Sequence, residues 1–201
     1  CGLAVFRHQR RGDVFLGNDP DHGGGHLPDY NVYAPVFDEA GALIMIQCLQ
    51  AHQGDTGGKD PGGFTLEATD IFTEGLAIPC LKLVHRGEKR RDVIRLLERN
   101  NRFFSFHGDL AAMISGVQHS VRLLQGLVGK WGSDVVRAAI NHSIDHTERR
   151  VREEVAKCLG TSSGPGIGSD LNKRFALEVS GYHDSDNVDV FTPVMVLAVI
   201  A

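Results

Sequence analysis

Short stretches of alternating apolar and polar residues run through the first half of the chain and predict β-strands there. One short strand candidate covers residues 14–16, and two longer candidates cover 30–37 and 42–51. Only four turn-forming residues separate the longer pair, so they are expected to form an antiparallel hairpin. Residues 17–29 and 53–65 are rich in Gly, Asp and Pro, which predicts loops on both sides of the hairpin.

Helical spacing replaces alternation in the middle of the chain. Residues 91–98 carry a short apolar stripe, and from residue 109 apolar residues recur at positions i, i+3, i+4 and i+7. A further helix is predicted to begin after Ser133, because Ser favours the N-cap position, and to close at Gly160.

Three zones follow from these patterns, and together they predict an α+β fold. Residues 1–85 are expected to form a glycine-rich, antiparallel β region, and residues 86–160 a helical region. Residues 161–201 are expected to form a linker and a short strand-like tail. Because residue 1 is Cys and the chain stops inside an apolar stretch, we expect it to belong to a longer polypeptide or a larger assembly.

Composition and charge exclude several classes of function. The 201 residues include 21 Lys and Arg against 25 Asp and Glu, which gives a net charge of -4. Phosphate binding requires a basic surface, so a nucleic acid is not an expected partner. No apolar run reaches the roughly 18 residues that a membrane helix needs, so no membrane is expected. Four widely spaced cysteines form no Cys-x-x-Cys pair and fit a reducing compartment, which predicts a cytoplasmic location.

The predicted hairpin brings together side chains that could bind a metal. Its pairing places Asp29 opposite the neighbourhood of His52, and His26 near Asp55. Opposed positions have Cβ atoms about 5 Å apart, so two imidazoles and a carboxylate could converge on one ion. Nitrogen and oxygen donors without sulfur suit Zn²⁺, Mn²⁺ or Fe²⁺, and three protein ligands with an open position are typical of a catalytic metal. The alternative is that these are ordinary loop residues, since His and Asp are common in turns.

Two further carboxylates are candidates for catalytic roles. Asp19, like Asp55, could be an outer ligand or could orient a histidine through its second nitrogen, and the alternative for Asp19 is that it simply initiates the turn before Pro20. Asp55 is a candidate general base for a metal-bound water. The glycines at 164–168 lack the Gly-Lys-Ser/Thr ending of a phosphate loop, so no ATP site is expected in this chain.

A series of short motifs runs in a fixed order through residues 12–155. The series comprises G-D-V-F-L-G-N-D-P at 12–20, H-G-G at 22–24, H-L-P-D at 26–29, A-H at 51–52, D-T-G-G at 55–58, P-G at 61–62, T-D-I-F at 69–72, E-G-L at 74–76, I-P at 78–79, K-L at 82–83, G-D-L-A-A at 108–112, and the segment 143–152. In this order the motifs closely resemble the hydantoinase B/oxoprolinase family, and the coverage makes the resemblance far more specific than one short pattern would be.

The resemblance implies a B-type subunit or region of an ATP-dependent enzyme that opens cyclic amides such as hydantoins, 5-oxoproline or lactams. An A-type partner would bind ATP and phosphorylate the substrate oxygen, so a hetero-oligomer is expected. Other family members are subunits of ATP-dependent ketone carboxylases that act on acetone or acetophenone. In these carboxylases a His, an Asp three residues later and a His at the end of the next strand hold a divalent metal. His26, Asp29 and His52 occupy those positions.

Departures from the family pattern leave the substrate open. Family hydrolases often have His-His where this chain has His52-Gln53, and an aromatic residue where it has Asp21. The leading hypothesis is therefore a cyclic-amide hydrolase component, and the second is a ketone carboxylase subunit. A third hypothesis, from another class, is a non-catalytic fragment or assembly subunit, which would bind no metal and would tolerate replacement of His26 and His52.

Overall fold

The computed structural model of the protein describes residues 9–63 and 65–160. They divide into two compact units, and the first ends at Ser133. The linker and strand predictions beyond residue 160 lie outside the described residues. The elements are β1 (Val14–Gly17), a 3-10 turn (Pro20–His22), β2 (Asp29–Phe37), β3 (Leu43–His52), α1 (Ile71–Glu74), β4 (Leu81–His85), β5 (Glu88–Lys89), α2 (Arg91–Arg99), α3 (Phe106–Trp131) and α4 (Ser133–Gly160).

A five-stranded antiparallel sheet followed by helices confirms the α+β class. The strand order is β3-β2-β1-β4-β5. β1 lies at the centre, because it pairs with β2 on one side and β4 on the other, and all four of its residues are buried. The sequence pattern did not predict β4 or β5. With these strands the sheet continues to Lys89, four residues beyond the expected end of the β region.

The predicted hairpin is present in the predicted register. Asp29 pairs with His52 at the open end, and the pairing runs to Val36 opposite Met45 before a bulge. The turn closes through a hydrogen bond from the Asp38 N–H to the Ala42 carbonyl. This register fixes which residues of the two strands share a face, and it brings the two ends of the hairpin to the loops that carry the candidate site.

Helix α3 covers one face of the sheet and closes the core of the first unit. Its apolar positions recur every three or four residues, so they form one stripe that packs on the strands. Burying each of these side chains contributes about 1.5–3 kcal/mol, which accounts for the long helix remaining on the sheet. The core residues with the largest fully buried side chains include Val14, Leu16, Val32 and Leu83 from the sheet, Leu97 from α2, and Leu110, Ile114 and Val117 from α3.

Helix α4 begins at Ser133, the last residue of the first unit, and the Ser133 hydroxyl donates a 2.9 Å hydrogen bond to Asp38. The rest of the helix, from Asp134, belongs to the second unit. Along the helix, Arg152 pairs with Glu148 one turn away at 2.9 Å, as mixed charges on an exposed face do. Within the described part of the chain, no helix is long and apolar enough to cross a membrane.

Candidate metal centre

Two of the predicted metal ligands meet at the open end of the hairpin. The register sets Asp29 directly opposite His52, and Asp29 Oδ1 lies 2.8 Å from His52 Nδ1. The His52 side chain is 53% exposed and that of Asp29 19%, so the pair can be reached from solvent. A carboxylate that binds one imidazole nitrogen fixes the orientation of the ring and determines which nitrogen is left to bind a metal.

His26 lies one turn away from this pair. The Asp29 N–H donates a 2.9 Å hydrogen bond to the His26 carbonyl, which closes a four-residue turn around Pro28. The Nδ1 atom of His26 is shielded from solvent. Among the residues that the structure describes, no three His, Cys, Asp or Glu side chains lie close enough together to hold a metal ion. The structure therefore joins Asp29 and His52 and holds the backbone of His26 nearby, and the metal centre itself stays a prediction.

In the glycine segment before His26, Gly24 passes too close to a neighbouring backbone to carry a side chain, and Gly25 passes close to a side chain. A Cβ atom on Gly24 would lie 2.1 Å from the Asn18 carbonyl oxygen. A Cβ atom on Gly25 would lie 3.2 Å from Asp29 Oδ2. Because glycine has no Cβ, the loop can pack against both groups, and it borders the carboxylate of the candidate ligand.

Asn18 holds this loop to the rest of the molecule. Its side chain is fully buried, and its amide group donates to the carbonyls of Leu27 at 2.7 Å and Leu76 at 2.9 Å. Its amide oxygen accepts a 2.6 Å hydrogen bond from the Ile78 N–H. One side chain thus connects the loop that carries His26 to the segment that leads into β4.

Asp19 has a local role in the same loop. Its Oδ1 accepts a 3.0 Å hydrogen bond from the Asp21 N–H, which caps the 3-10 turn as the turn-initiating alternative expects. Its Oδ2 lies 2.9 Å from His22 Nδ1. The histidine that Asp19 orients is therefore His22, which is not one of the three predicted ligands.

Asp55 is a buried partner of an arginine. Its side chain has no exposed area, and its Oδ2 accepts a 2.8 Å hydrogen bond from the Arg102 N–H. Its Oδ1 lies 2.7 Å from Arg102 Nη1. Burial, and then the negative charge of Asp55, raise the pKa of the nearby Tyr30 hydroxyl. The role of Asp55 as a general base stays a prediction, and its contacts in the structure are those of a buried counter-ion.

Arg102 gave no signal in the sequence. It lies in the link between α2 and α3, 47 residues from Asp55, and belongs to no motif that marks a binding residue. Its guanidinium also donates to the carbonyls of Gly57, at 3.0 Å, and Gly58. Only the folded chain brings this cation against the segment that follows His52.

A second buried carboxylate, Asp13, ties β1 to the β4–β5 hairpin. It accepts hydrogen bonds from Lys82 Nζ and the Arg86 N–H, each at 2.8 Å, and from the Arg10 N–H at 3.0 Å. Burial alone would raise the pKa of Asp13, but these hydrogen bonds outweigh burial and leave the pKa below its ordinary value. The sequence pattern did not identify this group.

The chain is similar to a known protein family, to a related subunit and to a solved structure. The family model of hydantoinase B/oxoprolinase matches residues 3–181. Caprolactamase subunit beta of Pseudomonas jessenii is 39% identical over 142 residues, which cover 70% of this chain and 24% of that protein. The crystal structure of the ATP-dependent caprolactamase from Pseudomonas jessenii matches with a TM-score of 0.70 and 35% identity, over 76% of this chain and 27% of the other.

A carboxylase structure is also similar. The nucleotide-free structure of acetone carboxylase, from work on ATP-dependent acetone carboxylation, matches with a TM-score of 0.61 and 25% identity. The match covers 67% of this chain and 18% of that chain. Across these three comparisons the chain spans between 18% and 27% of the length of the proteins it matches.

Proposed function

The chain belongs to the hydantoinase B/oxoprolinase family, and on that basis we propose that it is a B-type component of an ATP-dependent, metal-assisted enzyme that opens cyclic amides. The substrate class is a hydantoin, an oxoproline or a lactam, and the similarity to a caprolactamase subunit supports the amide. An A-type partner subunit binds ATP and activates the substrate oxygen. The complex is then a hetero-oligomer, and this chain supplies the metal-binding part of the site.

The observation that carries the proposal is the contact between Asp29 and His52, with His26 one turn away. Two imidazoles and a carboxylate are donors that Zn²⁺, Mn²⁺ and Fe²⁺ accept, so the residues fit a divalent ion of this type. A hydrogen-bonded turn holds the Cα atoms of its end residues within about 7 Å, so rotation of the His26 side chain can bring its ring to the Asp29 carboxylate. In the proposed site these three residues hold the ion.

The residues around the ion have defined tasks in this proposal. The 2.8 Å contact between Asp29 Oδ1 and His52 Nδ1 already holds these two donors side by side, which reduces the freedom that metal binding would otherwise have to remove. The half-exposed His52 side chain leaves the site accessible to a substrate from solvent. A divalent metal bound there lowers the pKa of a water ligand or polarises a carbonyl, which is the chemistry that hydrolysis of an activated amide needs.

Metal content tests the site directly. The full chain and its His26→Ala and His52→Ala variants are purified, analysed for Zn, Mn and Fe, and titrated with Mn²⁺ and Zn²⁺. We expect one ion per wild-type chain and a loss of binding in both variants. His142→Ala on the exposed face of α4 is the matched control and should bind as the wild type does. Absence of an ion, or binding unaffected by the two variants, would instead favour a non-catalytic assembly subunit.

The similarity to acetone carboxylase supports a second candidate function, a subunit of an ATP-dependent ketone carboxylase. The two functions differ in their co-substrate. With the A-type partner present, ATP turnover that requires a cyclic amide and no bicarbonate supports the hydrolase. ATP turnover that requires a ketone and bicarbonate together supports the carboxylase.

A further inference from the structure

The segment that follows His52 lies along the link between α2 and α3. A Cβ atom on Gly54 would lie 3.0 Å from the Phe103 ring, so the backbone of Gly54 packs closely on that ring. The Asn101 side chain donates to the Asp55 carbonyl. These contacts hold the segment at its start, within a few residues of the candidate ligand.

Arg102 provides the strongest contacts of this interface. Its main-chain N–H and its guanidinium bind the two oxygens of Asp55, and the guanidinium reaches the carbonyls of Gly57 and Gly58 as well. Asp55 is fully buried and the Arg102 side chain is 40% exposed. A buried carboxylate is costly without a partner, so the position of the Asp55 side chain depends on Arg102.

The contacts between Arg102 and Asp55 lie close to His52 along the chain. Only Gln53 and Gly54 separate His52 from Asp55, and consecutive Cα atoms are fixed at about 3.8 Å. Gln53 is itself held, because its N–H donates a 2.8 Å hydrogen bond to the Pro28 carbonyl. A shift of Asp55 is therefore transmitted to His52 and to the turn that joins His26 to Asp29.

We propose that Arg102 is a positioning residue that clamps Asp55–Gly58 and so holds His52 beside Asp29. The effect on metal binding rests on the function proposed above, in which His52 is a ligand. In this arrangement Asp55 is an anchor for Arg102 and transfers no proton. The guanidinium fork is essential, because it reaches the carboxylate and two carbonyls at once, which a lysine ammonium cannot do with the same geometry.

The first experiment compares Mn²⁺ affinity in the full chain with that of Arg102→Lys and Arg102→Gln. Residues that support metal ligands typically change affinity by about 10–100-fold, and we expect that loss for Arg102→Gln and a smaller one for Arg102→Lys. Arg150→Gln is the matched control, because Arg150 pairs with two exposed glutamates on α4 and should leave the affinity unchanged. If Arg102→Gln does not fold, the double variant Asp55→Asn/Arg102→Gln takes its place in the comparison, because the double variant has no buried unpaired charge.

Amide hydrogen exchange tests the clamp without a metal. We expect the Gln53 amide to exchange about tenfold faster in Arg102→Gln than in the wild type, while amides between β1 and β2 keep their rates. If the wild type binds no Mn²⁺, the proposed metal site fails, and the Gln53 exchange rate alone decides whether Arg102 is a clamp. An unchanged Gln53 rate overturns the proposal, with or without a change in Mn²⁺ affinity.

Asp55→Asn separates the anchor from the general base. If Asp55 is an anchor, Asp55→Asn loses Mn²⁺ affinity as Arg102→Lys does. The two losses are not additive when the substitutions are combined, because both remove the same interaction. If Asp55 is a general base, Asp55→Asn keeps wild-type Mn²⁺ affinity and loses turnover in the assembled complex. That result would overturn the role assigned to Asp55 here.

Discussion

Replacing Asn18 by Ala tests whether one buried amide holds the loop of the candidate site in place. The substitution removes two donated hydrogen bonds, of 2.7 and 2.9 Å, to the carbonyls of Leu27 and Leu76. It also removes the acceptor of the 2.6 Å hydrogen bond from the Ile78 N–H. All of these groups meet at a side chain with no exposed area, so water cannot easily replace the lost partners.

The magnitude follows from the number of groups left unpaired. A buried polar group that loses its partner costs about 1–3 kcal/mol. The Ile78 N–H loses its side-chain partner outright, and the two carbonyls lose one donor each, so we expect a total loss of about 3–5 kcal/mol. Such a loss is a large share of the roughly 5–15 kcal/mol that stabilises a typical domain.

Asn18→Asp separates hydrogen bonding from packing, because Asp has nearly the same shape. Its carboxylate can still accept from the Ile78 N–H, but it faces the carbonyl oxygens of Leu27 and Leu76 and cannot donate to them when ionised. The folded state therefore favours the protonated acid and raises its pKa above the unfolded value of about 3.9. An acid with a raised folded pKa gains stability as the pH falls towards its unfolded pKa, so the difference between this variant and the wild type should shrink as the pH is lowered from about 7 to about 4.

Urea unfolding of the full chain followed by circular dichroism provides the measurement, and the midpoint and slope are compared at each pH. The wild type is the reference at every pH, which removes the contribution of all other titrating groups. A loss below about 1 kcal/mol for Asn18→Ala would refute the reasoning, since an average point substitution already costs about that much. So would an Asn18→Asp variant whose difference from the wild type does not change with pH.

Three other substitutions test further parts of the fold. Gly24→Ala places a methyl group 2.1 Å from the Asn18 carbonyl oxygen and should cost about 1–3 kcal/mol in urea unfolding, or more if the loop cannot shift. Gly108→Ala, where the space is open and the backbone helical, should instead stabilise by up to about 1 kcal/mol. Lys82→Met removes a hydrogen bond that lowers the pKa of Asp13. In the wild type the stabilising contribution of ionised Asp13 is lost as the pH falls through its lowered pKa. The free energy of unfolding, measured at about pH 7 and below about pH 4, should therefore fall by less in the variant than in the wild type.

The sequence could predict the hairpin because its information is local. Strands β2 and β3 are long, rich in β-formers and joined by one short turn, so length and turn position determine the register. That register brings Asp29 to His52 without knowledge of any distant residue. The same holds for the apolar stripe of α3, which depends only on helical spacing.

Strand β4 could not be predicted in the same way. Its five residues alternate only over Leu81, Lys82 and Leu83, which is too short a pattern to separate a strand from an irregular segment. The strand forms because it pairs with β1 and because Lys82 reaches the buried Asp13 from 69 residues away. Pairing of that separation depends on the assembled core, which sequence spacing does not contain.

The chemical role of a carboxylate also depends on partners that lie far away in the sequence. Asp29 and Asp55 both lie near His52 in the chain, and both are plausible ligands or bases on residue type alone. In the folded chain Asp29 touches an imidazole and remains partly open to solvent, while Asp55 is fully buried with both oxygens bound by Arg102. A group that binds an ion or exchanges a proton must be reachable, and a group that anchors a loop must not be displaced. One arginine in the α2–α3 link therefore separates two carboxylates that residue type alone does not distinguish: Asp55 is its buried counter-ion, and Asp29 is left partly exposed beside His52.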